Sequence, residues 1–350
     1  MASQGKSIWD SAKPAEKTTT RKTERVASET DLKKIYGQIP DIYKNIRAEV
    51  GKVIVGQETV LETLLIAIFT DSHALLEGFP GLGKTLLVRT LSSVMDLKFR
   101  RIQCTPDLMP SDITGTYIVE EDQGKKVFRF EEGPVFTNIL LADEINRATP
   151  KSQSAMLESM QERQVTAGKT THKLERPFFV LATQNPIEME GTYPLPEAQV
   201  DRFMLKIIVE YPSKEEEAQI IERYTSEIMP AVRRVITREQ VIGIQRLAKK
   251  MPISHEVSEY ALNIVTASRP VKKGAAQQYL DFGASPRASI GLVLASKARA
   301  LLNGRNYVSR EDVKEMAYPV LRHRIIMNFE SERKGMSTDD VIAEILKEVK

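Results

Sequence analysis

Short apolar runs recur through the first two thirds of the chain: Ala74-Leu75-Leu76, Phe99 to Cys104, Ile139-Leu140-Leu141-Ala142, Phe178 to Thr183 and Leu205 to Val209. Runs of this length, apolar on both faces, predict buried strands of a parallel sheet. Segments of helical composition lie between or before them, at Asp31 to Val50, Glu58 to Phe69, Leu86 to Met95 and Lys151 to Arg163. On the last of these, Ala155, Met156 and Met160 share one side and predict core packing. Strands alternating with helices predict an α/β fold. Two β-prone pairs break the alternation. Tyr117-Ile118-Val119 and Val127-Phe128-Arg129-Phe130 flank the charged turn Glu120 to Lys126, and Gln164 to Leu174 carries Gly168-Lys169 at its centre. Both predict projecting hairpins. From Lys214 the period is helical: Val257, Ala261, Ile264 and Val265 fall on one stripe, and Ile290, Val293, Leu294, Ala298 and Leu301 on another. Ser309-x-x-Asp312 reads as a capping box, and Pro286 stands at a first-turn position. The chain therefore divides into a polar tail without periodicity (1–31), an α/β core (32–230) and an all-α domain (231–350). The tail is expected to be disordered, with Trp9 its one large apolar residue.

Residues Gly78-Phe79-Pro80-Gly81-Leu82-Gly83-Lys84-Thr85 form a complete G-x-x-x-x-G-K-[ST] phosphate loop, entered from a predicted strand and left through a predicted helix beginning near Leu86. Gly78, Gly81 and Gly83 allow backbone N–H groups to face phosphate oxygens, and the positive end of the helix faces the same way. Lys84 is placed to reach the β- and γ-phosphates, and Thr85 to bind Mg²⁺. This stretch implies binding of a nucleoside triphosphate.

The run ending at Ala142 leads into Asp143-Glu144. Ligands bind at the carboxyl ends of parallel strands, so both acids emerge beside the phosphate loop. Asp143 suits the Mg²⁺ shell, and Glu144 can orient and deprotonate an attacking water. Asn185 follows the run Phe178 to Thr183, where an amide can bond that water or the γ-phosphate. Arg202 precedes the last apolar run and has two readings: a finger reaching a neighbouring subunit, or a surface arginine paired with Asp201 or Glu197. Arg287, at a predicted helix start, is expected to face back towards the nucleotide.

The chain has 350 residues, 41% of them hydrophobic and 28% charged, with net charge +3 and one cysteine, Cys104. No apolar run approaches the roughly 20 residues of a bilayer span, and no signal-peptide pattern opens the sequence. A lone cysteine inside a predicted strand fits a buried thiol in a reducing compartment, so a cytoplasmic protein without membrane insertion is expected. The charge is too mild to argue for nucleic acid. The four histidines (His73, His172, His255, His323) show no metal-ligand spacing.

These residues resemble the MoxR family of AAA+ ATPases from about Ile54 to Ile325. The likeness includes Asp143-Glu144-Ile145-Asn146-Arg147-Ala148, Met160 to Val165, Ala182 to Pro186, Thr192 to Phe203, Gly283 to Ala288 and Leu321-Arg322-His323-Arg324. The resemblance implies a P-loop AAA+ core with two hairpin insertions, the helix-2 insert and the pre-sensor-1 hairpin, followed by a helical lid. It implies that Val55, Gly56 and Gln57 line the adenine pocket, which on their own would be only a loop between helices. It makes Asn185 sensor 1, Arg202 the arginine finger and Arg287 sensor 2, acting in its own subunit or the next. It further implies Mg²⁺-dependent ATP hydrolysis in a homo-oligomeric ring, usually a hexamer. The ring is expected to remodel a protein client with a partner bearing a von Willebrand factor A domain. A nucleic-acid motor, using Lys125, Lys126 and Lys169 at the hairpin tips, and the motor subunit of a metal chelatase are the alternatives; no basic face or helix-turn-helix pattern favours the first.

Overall fold

A computed structural model describes residues 29–122, 125–185, 191–226, 230–271 and 274–350. Trp9 and the expected tail up to residue 28 lie outside the described residues, and the first helix begins at Glu29.

The core runs α1 (Glu29–Gly51), α2 (Glu58–Phe69), β1 (Ala74–Gly78), α3 (Lys84–Val94), β2 (Phe99–Gln103), α4 (Pro110–Thr114), β3 (Gly115–Asp122), β4 (Lys125–Glu132), β5 (Ile139–Asp143), α5 (Pro150–Glu162), β6 (Gln164–Ala167), β7 (Thr170–Lys173), β8 (Phe179–Gln184), α6 (Glu197–Val200), β9 (Leu205–Val209) and α7 (Lys214–Tyr224). The five apolar runs make one sheet in the order β2-β5-β8-β1-β9, with every pairing parallel. The strand alternation sorts their side chains cleanly. Ala74, Leu76, Ile139, Leu141, Phe179 and Leu181 enter the apolar cluster shared with α2 and α3. Leu75, Leu140, Ala142, Val180 and Ala182 enter a second cluster with Met156 and Met160 of α5. Both insertions are hairpins as expected: β3 pairs with β4, and β6 with β7. They touch through a stack of Phe130 on His172, ring centroids 4.0 Å apart, edged by Phe136 and Tyr117.

The lid comprises α8 (Arg238–Lys250), α9 (His255–Ala267), α10 (Ala275–Tyr279), β10 (Leu280–Phe282), α11 (Pro286–Leu302), α12 (Arg310–Leu321), β11 (Ile326–Met327), α13 (Phe329–Arg333) and α14 (Thr338–Glu348). Its helices begin where a hydroxyl can take an orphan amide. Thr237 accepts from Gln240 N, Ser254 from Val257 N, Ser309 from Asp312 N and Ser337 from Asp340 N. An antiparallel ribbon, Leu280 opposite Met327 and Phe282 opposite Ile326, is added to the expected helices. Lid and core are not separately packed. Ile244 and Ala248 of α8 and Leu292 and Leu301 of α11 join Leu64 and Ile68 of α2 in one buried cluster.

Candidate functional site

The phosphate loop leaves β1 and turns into α3 through Gly81 and Gly83, at φ 84° and 73°. Both angles lie in the left-handed region that only glycine enters without penalty, and they hold the loop open above the first turn of α3. Gly81, Leu82, Gly83, Lys84, Thr85 and Leu86 line a cavity of about 420 Å³ together with Asp143, Glu144 and Asn185. Gly78 is placed differently from expectation. It is the last residue of β1, opposite Val209, and a Cβ there would lie 2.7 Å from Val209 O. Close approach of two strands, rather than a phosphate-facing turn, accounts for glycine at that position. Lys84 Nζ donates to the carbonyls of Gly78 and Phe79. Burial holds its ammonium below the usual lysine range, against the opposing pull of Asp143, Glu144 and Glu77.

The same alternation that sorts the core brings a row of polar side chains to the loop. Arg101 and Gln103 on β2, Asp143 on β5 and Thr183 on β8 point to the α3 side at the carboxyl edge of the sheet, and all four line the cavity. Asp143 Oδ2 accepts from Arg101 Nε at 3.0 Å and Nη2 at 2.7 Å, and Oδ1 accepts from Thr183 Oγ1 at 2.6 Å. Glu144 Oε2 accepts from Gln103 Nε2 at 2.9 Å and Arg147 Nη1 at 3.3 Å, and Glu144 N donates to Thr183 Oγ1 at 2.8 Å. One threonine hydroxyl thus ties the metal-suited acid to the backbone of the base-suited one. Asn185, 8% exposed, faces the cavity from beyond β8. Arg101, Gln103 and Thr183 escaped the sequence reading. The signal was their spacing of two within strands, but it becomes informative only once β2 and β8 are known to flank β5.

Val55, Gly56 and Gln57 line a neighbouring cavity of about 170 Å³, with Leu87 of α3 and Arg223 of α7. Gln57 Nε2 donates to Leu82 O at 3.0 Å, which joins this loop to the phosphate loop, while Gln57 Oε1 is buried with no partner among the described residues.

Arg202 and Arg287 do not line the phosphate cavity of this chain. They share another of about 260 Å³, with Asp71, Arg163 and Ile290. Of the two settings left open for Arg287, its own subunit or the next, its place outside the phosphate cavity of its own chain favours the next; at the start of α11 its Nη1 lies 3.6 Å from Asp201 Oδ2. Asp201 pairs with Arg324 and Arg287, not Arg202, and no acceptor among the described residues pairs with the Arg202 guanidinium. Two of the histidines are structural, while His255 is exposed: His73 lies between Met160 O and Val180 N, and His323 Nε2 donates to Phe203 O at 2.8 Å. Cys104 is buried, which pushes its thiol up to about 12. No helix among the described residues is long and apolar enough to cross a membrane.

A glycine loop running into a helix, an acid pair on a strand of the same parallel sheet and a helical lid define a nucleotide-binding P-loop ATPase of the AAA+ class. The family model for the "ATPase family associated with various cellular activities (AAA)" matches residues 73–205, and that for the AAA lid domain matches residues 272–345. "Chaperone MoxR1" of Mycobacterium tuberculosis is 45% identical over 304 residues, covering 86% of this chain and 80% of that protein. "Protein MoxR" of Methylorubrum extorquens is 31% identical over 334 residues, covering 88% and 95%. A crystal structure of a Cytophaga hutchinsonii protein superposes with a TM-score of 0.85 at 47% identity, covering 92% of this chain and 98% of that one. The chain belongs to the MoxR family: it is a chaperone-type AAA+ ATPase.

Proposed function

We propose that the chain hydrolyses ATP in a Mg²⁺-dependent reaction at sites shared between adjacent copies of a cytoplasmic homo-oligomeric ring, a hexamer. Turnover drives remodelling of a protein client, with a von Willebrand factor A domain partner presenting it. One observation supports the shared-site reading: Arg202 and Arg287 stand together, away from the phosphate loop of their own chain, and no carboxylate among the described residues forms an ion pair with Arg202, although Asp71 and Asp201 line the same cavity. A cation so placed is suited to phosphates held by a neighbour.

Within one chain the roles follow from position. Gly81 and Gly83 present backbone N–H groups, and Lys84 supplies positive charge to the outer phosphates. The pocket of Val55, Gly56 and Gln57 takes the base, and the partnerless Gln57 Oε1 fits an acceptor for an exocyclic amine. Thr85 and Asp143 are hard oxygen donors of the kind Mg²⁺ selects, and would hold it there. The ion would neutralise charge building on the phosphate oxygens. Glu144 takes the proton of the attacking water, which Asn185 helps to orient. Arg202 of the adjacent copy stabilises the charge of the transition state, with Arg287 beside it.

Mixed rings test this. Glu144→Gln should keep ATP binding and lose turnover by on the order of 10²–10⁴-fold, and Arg202→Ala should lose on the order of 10³-fold. Mixing the two inactive variants should restore turnover, because an Arg202→Ala copy can receive the intact finger of a Glu144→Gln neighbour. Undiminished hydrolysis by Glu144→Gln removes that residue from its role. Absence of any recovery on mixing, with assembly intact, removes the shared site.

A further inference from the structure

We propose that Asp201 and Arg324 are positioning residues for the Arg202 guanidinium, and that through them the lid sets where the finger stands. The inference rests on reading Arg202 as acting on a neighbour's phosphates.

Arg324 follows α12, yet its side chain is 3% exposed and reaches into the core. A guanidinium has five N–H donors, and all five are engaged. Nε donates to Asp201 Oδ1 at 2.7 Å, Nη1 to Met204 O at 2.9 Å and to Val320 O, and Nη2 to Phe203 O at 2.7 Å and Asp201 O at 3.2 Å. The carbonyls of residues 201, 203 and 204 bracket Arg202 on both sides. Phe203 O also accepts from His323 Nε2 at 2.8 Å, and Arg322 Nη1 reaches Lys206 O at 3.4 Å. Of the run Arg322-His323-Arg324, which the sequence singled out without giving it a role, His323 and Arg324 are thus directed at the four residues Asp201 to Met204, while Arg322 pairs chiefly with Asp339.

This segment needs such support. Ahead of it stands only α6, a single turn from Glu197 to Val200, and the backbone then bends into β9. A buried carbonyl left unsatisfied in such a bend costs on the order of 1–3 kcal/mol. The Arg324 fork satisfies three carbonyls there at once. Asp201 closes the link on the other side. Its Oδ2 accepts from Ser285 Oγ at 3.0 Å, and that same hydroxyl accepts from Arg287 N at 3.3 Å as the cap of α11. One carboxylate therefore joins the end of α12, the start of α11 and the residue before Arg202. A plain lid anchor could bond anywhere on the core; this one spends its bonds around the finger. Lysine cannot replace it, because an ammonium has three donors on a point charge and no planar fork.

A double-mutant cycle on ATP turnover decides the matter. Arg324→Lys and Asp201→Asn should each lower kcat on the order of 10²-fold, the effect of an ångström-scale misplacement, with KM and nucleotide Kd unchanged because neither residue lines the phosphate or base cavity. In an Arg202→Ala background, Arg324→Lys should lower kcat no further, since it acts through the residue already removed. The same full loss in that background overturns the inference and leaves the shared site standing. Turnover undiminished by Arg202→Ala alone overturns the shared site itself. A turnover loss in Arg324→Lys that tracks loss of ring assembly in sedimentation makes Arg324 an assembly staple and also overturns the inference. Should Arg324→Lys fold poorly, the isosteric Asp201→Asn answers the same cycle.

Discussion

Glu144 sits at φ 56°, in the left-handed region, directly after β5 ends at Asp143. A non-glycine residue there costs on the order of 1–3 kcal/mol, offset here by the bond from its amide to Thr183 Oγ1. The turn swings the Glu144 carboxylate into the cavity instead of letting it continue the strand. Thr183 is 1% exposed and serves both acids, so Thr183→Val, nearly the same shape, leaves a buried amide and a carboxylate oxygen each short of a partner. We expect a stability loss of about 1–3 kcal/mol in urea unfolding, and a drop in kcat larger than any rise in KM. Wild-type kcat in that variant would show that the hydroxyl is not needed to place Glu144. The acid pair itself was legible as residue types after an apolar run. Thr183, Arg101 and Gln103 were not, because their meaning depends on which strands become neighbours, and strand order is a long-range property.

At the scale of elements, the strands of the sheet were legible because buried parallel strands are continuous apolar runs, and both hairpins because β-prone pairs flank a polar turn. The ribbon of β10 and β11 was not. It has three and two residues, too few to alternate, and Phe282 is 65% exposed. Helix α11 also misled: Ile290 falls on its apolar spacing but is 63% exposed beside Arg202 and Arg287, while Ala288, Gly291 and Ala295 pack inward. Nor did sequence show that the hairpins touch. His172 of β7 stacks on Phe130 of β4 with an interplanar angle of 14°, and an aromatic pair of this kind contributes about 0.5–1.5 kcal/mol. The two insertions should therefore open together. His172→Ala is expected to speed amide exchange several-fold in both β3–β4 and β6–β7, read by hydrogen-exchange mass spectrometry. Faster exchange confined to β6–β7 would mean that the hairpins are independent.

Across the whole molecule, the division into core and lid was legible as a change of hydrophobic period, but the single apolar cluster running through both was not. A shared core makes unfolding one event, so a buried titrating group anywhere in it reads out globally. His73 adjoins that cluster: its carbonyl accepts from Met204 N, while its ring packs on Phe178 of the second cluster. It lies on the core side of the joint, its Nδ1 accepting from Val180 N at 3.0 Å and its Nε2 donating to Met160 O at 3.0 Å. Burial lowers it from 6.5 to about 4, and His323, on the lid side, is lowered for the same reason. The unfolded chain binds these protons below about pH 6.5 while the folded chain keeps His73 neutral down to about 4. Stability is therefore full above 6.5 and is lost as pH falls towards 4. Between pH 6.5 and 5 the His73 share of the loss is about 2 kcal/mol, at 1.36 kcal/mol per unit. His73→Gln, whose amide can accept from Val180 N and donate to Met160 O, should be less stable at pH 7.5 but show a shallower slope. Urea midpoints at pH 7.5, 6.5, 5.5 and 5 check this: parallel slopes for the two proteins would mean that His73 is not held neutral, and two separated transitions that core and lid unfold apart.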